Sequence, residues 1–183
     1  MHAKKDNPEL AMALQLELNV MSYPQYIAMH AKDKKRVVVA GSHGKTTTTS
    51  MIMHVLKVNK VNYDYLVGAP LEGFELMIRL SEAPLMIIEG DEYLSAPNDP
   101  KPKIWHYHPH MTIITGIAWD HINVFPTYDQ YTSVFKTYLE NLPDQAKVFF
   151  YKNDPDLHHI INELSRKDLD IHAYEAYPAT NRN

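Results

Sequence analysis

The sequence predicts an α/β fold, a three-layer sandwich with a mostly parallel sheet between helices. Three observations carry this. Short β-branched apolar runs alternate along the chain with stretches of helical periodicity. Runs such as Met86-Ile87-Ile88 are continuously apolar, as strands are when helices cover both sheet faces. The composition, 45% apolar and 22% charged over 183 residues, is that of a globular chain of one domain's length.

The elements follow in order. Asn7-Pro8 is an N-cap with proline at the first helical position, and Leu10, Leu14 and Leu18 continue at helical spacing. Ser22-x-x-Gln25 is a capping box opening a short helix to Ala31, and Lys32–Arg36 is a polar link. Strands are expected over Arg36–Ala40, Tyr63–Val67, Leu85–Glu89, Met111–Thr115, Lys147–Tyr151 and Ile171–Tyr174. Helices are expected over Lys45–Val58, Phe74–Leu80, Tyr128–Asn141 and Pro155–Arg166. Thr127-x-x-Gln130 and Asp154-Pro155 mark the last two helix starts. Tyr128, Tyr131, Phe135, Tyr138 and Leu142 form one stripe, read as core rather than as an aromatic binding face.

Composition removes several functions. The net charge is −4, from 18 basic and 22 acidic side chains without a basic block, so no nucleic-acid partner is expected. No apolar run is long enough for a transmembrane helix, and the first residues lack a signal peptide's apolar stretch. Absence of Cys removes disulfides and thiolate chemistry. No membrane partner and a cytoplasmic location are therefore expected.

The most informative segment is Val37-Val38-Val39-Ala40-Gly41-Ser42-His43-Gly44-Lys45-Thr46-Thr47. A strand runs into a glycine loop, then Lys and hydroxyl residues open a helix. Amides of such a loop and helix start point at an anion, and the helix dipole adds about half a positive charge. Lys45 would reach terminal phosphates and the Thr46 hydroxyl a magnesium ion, so a nucleoside triphosphate is the expected ligand. The spacing is shorter than G-x-x-x-x-G-K-[ST], because Val39 stands where the first glycine would be.

In parallel sheets, ligands gather at the carboxyl ends of strands. There the expected strands deliver the glycine loop, the acidic run Glu89-Gly90-Asp91-Glu92, and Asp120-His121 after Thr115-Gly116-Ile117-Ala118-Trp119. Glu89 suits magnesium, which takes one or two carboxylates along with phosphates and water. His121 is a softer donor than magnesium prefers. His106, His108 and His110 would share one face of an extended segment. Zinc is an alternative there, but such residues lie about 7 Å apart and converge poorly, so a polar strand face at the substrate cleft is the preferred reading.

Three motifs in order, Gly41-Ser42-His43-Gly44-Lys45-Thr46-Thr47, Ile88-Glu89-Gly90-Asp91-Glu92-Tyr93 and Asp120-His121, resemble the Mur ligase family over about residues 36–152. The resemblance implies a P-loop NTPase-like central domain and ATP with Mg2+ as cofactors. By it, Gly41, Ser42, His43, Gly44, Lys45, Thr46 and Thr47 bind nucleotide, with Lys45 at the terminal phosphates. Thr46 and Glu89 hold one magnesium; Glu89 and His121 help hold a second. Lys45, Glu89 and His121 are the implied catalytic residues. The reaction implied is ATP-dependent amide formation through an acyl phosphate.

The Glu89-x-Asp91-Glu92-Tyr93 form and Lys103-Ile104-Trp105-His106-Tyr107 resemble members of that family joining UDP-N-acetylmuramate to L-alanyl-γ-D-glutamyl-meso-diaminopimelate. Those that add L-alanine are second. A nucleotide-binding module without ligase chemistry and a zinc hydrolase on the three histidines are further alternatives. Many relatives carry Asn and Glu where Gly116 and Ala118 stand, so those side-chain contacts are in question, and Gly90 in place of Ala is a small change. Residues 1–35 resemble the end of a UDP-sugar-binding domain and residues 36–183 a central domain truncated after Tyr177–Asn183. A fragment unable to ligate alone is the expectation.

Overall fold

The computed structural model describes residue 4 and residues 6–175. The segment Tyr177–Asn183 lies outside the described residues. Helices α1 (Pro8–Gln15) and α2 (Tyr23–Ala31) lead into strand β1 (Lys35–Ala40) and helix α3 (Lys45–Val58). Then come β2 (Asp64–Leu66), β3 (Ile78–Arg79), β4 (Leu85–Glu89) and a hairpin of β5 (Leu94–Ala96) with β6 (Asp99–Pro102). A 3-10 turn, Lys103–His106, precedes β7 (Met111–Ile114). Helix α4 (Tyr128–Glu140), β8 (Lys147–Tyr151), α5 (Pro155–Asn162) and β9 (Asp170–Tyr174) complete the described chain.

Among the described residues the main sheet has seven strands in the order β3-β2-β4-β1-β7-β8-β9, and of these only β3 runs antiparallel to its neighbour. Alternation along the strands sorts the core into two layers. Val37, Ile87, Tyr65 and Val67 meet Met53 of α3 on one face. Val38, Met86, Ile88, Ile114, Val148 and Phe150 meet α2, α4 and α5 on the other. The expected aromatic stripe is core as read: Tyr131, Phe135, Tyr138 and Leu142 are buried, with Tyr128 half-buried at its end.

Helix α1 buries none of its residues, and Met12, Leu14, Leu16 and Leu18 are exposed. Helix α2 differs, with Ile27 and Ala31 inside the main core. The polar link after it is tightly bound. Arg36 donates to the carbonyls of Ala31, Lys32 and His108, and Lys34 reaches buried Asp64 at 2.9 Å. Burial by itself would raise the Asp64 carboxyl; two bonds from Ser81 together with Lys34 outweigh it and hold Asp64 below its ordinary value. A depressed carboxylate contributes stability above its unfolded value of about 4, and loses it as pH falls through the folded value. Asp64→Asn is therefore expected to cost about 3 kcal/mol at pH 7 by breaking a buried pair. Urea unfolding at pH 7 and pH 3 checks this, since the gap between variant and parent should narrow at the lower pH.

Three expectations are corrected. The helix over Phe74–Leu80 does not form. Gly73 takes φ +79°, Phe74 packs edge-on against Tyr65 at 5.4 Å, and Ile78–Arg79 pairs with β2. The last expected helix stops at Asn162 rather than Arg166. Leu164 turns into the core, and Arg166 caps the end of α4 by donating to the carbonyls of Glu140 and Leu142. Finally, His106, His108 and His110 do not share an extended face. His106 ends the 3-10 turn, and His108 sits at φ +40°.

The zinc reading falls with that face, because no group of three or more possible metal ligands converges among the described residues. Two of the histidines have local partners instead. Asp99 Oδ2 accepts from the Ser22 hydroxyl at 2.6 Å and lies 2.9 Å from His106 Nε2, tying α2 to the hairpin. His110 Nδ1 accepts the Arg36 N–H at 3.1 Å. Burial holds both imidazoles below their ordinary value.

Candidate phosphate and metal site

The glycine loop forms where β1 ends, flanked by the ends of β4 and β7. Its backbone requires glycine twice. Gly41 has φ +120°, and Gly44, the N-cap of α3, has φ +78°. The loop is stitched to the segment after β7: the Ser42 N–H donates to Gly116 O at 2.9 Å, and the Thr115 hydroxyl donates to His43 O at 2.5 Å. The first-turn amides of α3 have no intrahelical acceptor, as at any helix start.

Lys45 bends back over this loop. Its ammonium donates to Gly41 O at 2.6 Å, Ser42 O at 3.3 Å and Glu92 Oε2 at 3.0 Å. Glu89, at the end of β4, accepts from the Thr46 hydroxyl at 2.7 Å through Oε1 and from the Gly68 N–H at 2.9 Å through Oε2. The structure thus brings Lys45, Thr46 and Glu89 to one strand end. His121 lies at φ +56°, edge-on to Tyr93, with Nε2 at 3.5 Å from Glu92 Oε1. Its carboxylate neighbours among the described residues are Glu92 and Asp120.

Among loop residues, His43 and Thr47 are exposed, while Ser42 is turned inward. The Ala118 N–H donates to Ser42 Oγ at 2.7 Å, Ser42 Oγ lies 2.7 Å from the Tyr131 hydroxyl, and that hydroxyl donates to Glu92 Oε1 at 3.2 Å. An amide only donates and a carboxylate only accepts, so the chain has one direction, from Ala118 through Ser42 and Tyr131 to Glu92. Burial, reinforced by the Glu92 charge, keeps the Tyr131 proton on far above neutral pH, so this donor persists. Glu92, just 1% exposed, is the residue that sequence reasoning passed over. Its position three residues after Glu89 in an acidic run suggested only charge density.

Gly116 and Ala118 contribute through backbone. Gly116 sits at φ +145°, and the Ile117 N–H donates to Asp154 Oδ2 at 2.6 Å. Asp154 also caps α5 through the amides of Asp156 and Leu157, so one buried carboxylate holds both the loop after β7 and a helix start. Gly90 is no small change. A Cβ there would lie 2.6 Å from Val38 Cγ1 and 2.9 Å from Ile104 Cγ2. Gly90→Ala is expected to destabilise by about 1–3 kcal/mol through overpacking, read as a lower denaturant midpoint.

Beside Glu89 lies a cavity of about 570 Å³ lined by Tyr23, Leu66, Gly68, Met77, Lys103 and Tyr107 among others. In its wall, Asp91 pairs with Lys103. Burial opposes the Asp91 charge, but Lys103 and the Tyr93 N–H together outweigh it and hold the carboxyl below its ordinary value.

The Mur ligase middle-domain model matches residues 39–181. This chain belongs to the Mur ligase family. Mur ligases are ATP-dependent amide ligases. The chain is 34% identical over 146 residues to the UDP-N-acetylmuramate–L-alanyl-γ-D-glutamyl-meso-2,6-diaminoheptandioate ligase of Haemophilus influenzae, covering 79% of this chain and 32% of that one. It is 29% identical over 172 residues to the UDP-N-acetylmuramate–L-alanine ligase of Caldicellulosiruptor bescii, covering 93% and 36%. The chain therefore spans about a third of the length of these Mur ligases. The crystal structure of UDP-N-acetylmuramate:L-alanyl-γ-D-glutamyl-meso-diaminopimelate ligase from Neisseria meningitides superposes with a TM-score of 0.81 at 26% identity, covering 94% of this chain and 55% of that one. Among the described residues, no helix is long and apolar enough to cross a membrane.

Proposed function

We propose that this chain is the ATP-binding part of a ligase that joins UDP-N-acetylmuramate to L-alanyl-γ-D-glutamyl-meso-diaminopimelate through an acyl phosphate. The observation that carries the reading is the 2.7 Å contact between Thr46 Oγ1 and Glu89 Oε1 at the mouth of the glycine loop. Two hard oxygen donors beside an anion cradle suit magnesium, which completes its shell with phosphate and water rather than with a protein cage. Mg-ATP would supply the phosphoryl group and neutralise charge on it. The loop amides between Gly41 and Thr47, except that of Ser42, which Gly116 O already holds, would line the phosphates, and Lys45 would meet the terminal ones. Thr46 and Glu89 would hold one magnesium, and Glu89 with His121 would help hold a second. The cavity beside Glu89 would seat the carboxylate that accepts phosphate, with Lys103 as the cation in its wall.

Residues 1–35 are read as the end of a UDP-sugar-binding domain and residues 36–183 as the central domain. The chemistry is placed in the cytoplasm, without a nucleic-acid or membrane partner. L-alanine as the acceptor is the second reading, supported by the longer alignment to the alanine ligase, 93% of the chain against 79%.

Calorimetric titration with ATP tests the nucleotide part. Binding is expected with magnesium and is expected to weaken about tenfold in Glu89→Gln, which loses a charged metal contact. Equal affinity with and without magnesium would remove Thr46 and Glu89 from the metal role. Supplying the full-length protein with UDP-N-acetylmuramate and either the tripeptide or L-alanine separates the two acceptors by the product's mass.

A further inference from the structure

We propose that Glu92 is a positioning residue, whose one buried carboxylate holds the Lys45 ammonium through Oε2 and the His121 imidazole through Oε1, so that the two are placed as a unit. This rests on the nucleotide reading for its purpose, though not for its geometry. Lys45 and His121 come from different strand ends, and the carboxylate they share lies between them at 3.0 Å and 3.5 Å. At 1% exposure, Glu92 has almost no water to satisfy it, so protein groups alone set its orientation. Those groups include the directed chain from Ala118 through Ser42 and Tyr131, whose last hydrogen ends on Oε1 at 3.2 Å.

Glu92 is therefore oriented by the loop after β7, the glycine loop and α4 together. A satisfied buried network of this kind is rigid, because each member fixes the next. A carboxylate behind an imidazole also selects which ring nitrogen carries the proton. Nε2 of His121 is the ring nitrogen nearer a carboxylate, 3.5 Å from Glu92 Oε1 against 4.0 Å between Nδ1 and Asp120, which leaves Nδ1 to act as a ligand.

The test is nuclear magnetic resonance on the 15N-labelled chain, reading the Lys45 ammonium and the His121 ring nitrogens. In Glu92→Gln, the ammonium signal is expected to be lost to exchange and the ring nitrogens to shift together toward a mixed tautomer. In Glu163→Gln, which alters the exposed carboxylate bonded to Lys136, neither is expected to move. Should Glu92→Gln not fold, Glu92→Asp is read by the same criterion, since its shorter side chain cannot span both partners. Unchanged Lys45 or His121 signals in the folded variant would overturn the proposal, as would an equal response to Glu163→Gln.

A second arm adds magnesium and ADP. Both signals are expected to shift in the unaltered chain; in the Glu92 variant the Lys45 ammonium signal is expected to reappear on binding while the His121 nitrogens stay where they were, and a joint response in both proteins would overturn the coupling. If magnesium and ADP shift nothing in the unaltered chain, the nucleotide reading fails, while the first arm still decides the role of Glu92.

Discussion

Lys45→Ala is expected to weaken Mg-ATP binding about 10- to 100-fold, the loss that accompanies removal of charge-assisted bonds to phosphate. The same substitution is expected to destabilise the fold by about 3–5 kcal/mol, because it strands a buried carboxylate. The partner concerned is Glu92, 1% exposed and 3.0 Å from the Lys45 ammonium. Tyr131 and the His121 ring would remain beside Glu92 at 3.2 Å and 3.5 Å, but neither brings the fixed charge of an ammonium.

The double variant Lys45→Ala/Glu92→Gln is therefore expected to recover much of the lost stability and none of the lost affinity. Guanidinium unfolding and calorimetric titration of the two proteins check the two halves independently. An unchanged affinity for Lys45→Ala would refute the phosphate assignment. A Lys45→Ala protein as stable as its parent would show that the buried charge has another partner.

Gly41→Ala is expected to be nearly as damaging, for a steric reason. A Cβ at Gly41 would stand 2.4 Å from Thr115 Oγ1 and 2.8 Å from Gly116 O, at a backbone φ of +120°. Strain and overpacking together are expected to cost about 2–5 kcal/mol. Truncating the obstructing side chain with Thr115→Ala should rescue this only in part, because Gly116 O is backbone and cannot withdraw. Gly44→Ala provides the contrast. Its Cβ would meet nothing nearer than 3.9 Å, so only the left-handed φ of +78° counts, a cost of about 1–2 kcal/mol. Comparable midpoints for the two alanine variants would mean that the Gly41 contact relaxes freely.

The elements that were legible share a property: their signals are local. Lys45–Val58, Leu85–Glu89 and Lys147–Tyr151 form with the bounds that periodicity and caps indicate. Thr127 and Asp154 cap the helices that their spacing announces. The elements that were misread depend on partners far along the chain. Ile78–Arg79 is a strand because the edge of β2 is there to pair with. The histidines after Lys103 look like an alternating face until Asp99 and Arg36 claim two of them. Asp154 reads as a helix cap, and its second bond, to the Ile117 amide 37 residues away, has no sequence signature.

The sequence by itself determined the layered α/β class, the glycine loop with Lys45 and Thr46, and Glu89 at a strand end. Each of these follows from near-neighbour patterns of glycine, charge and apolar spacing. Only the tertiary structure decided that Glu92 sits beneath Lys45, that Ser42 faces inward to Tyr131, and that His121 stands against Glu92. Those contacts join residues from separate strand ends and from α4. Their pairing is set by the sheet order and by the burial of one carboxylate, quantities that exist only once the layers have packed.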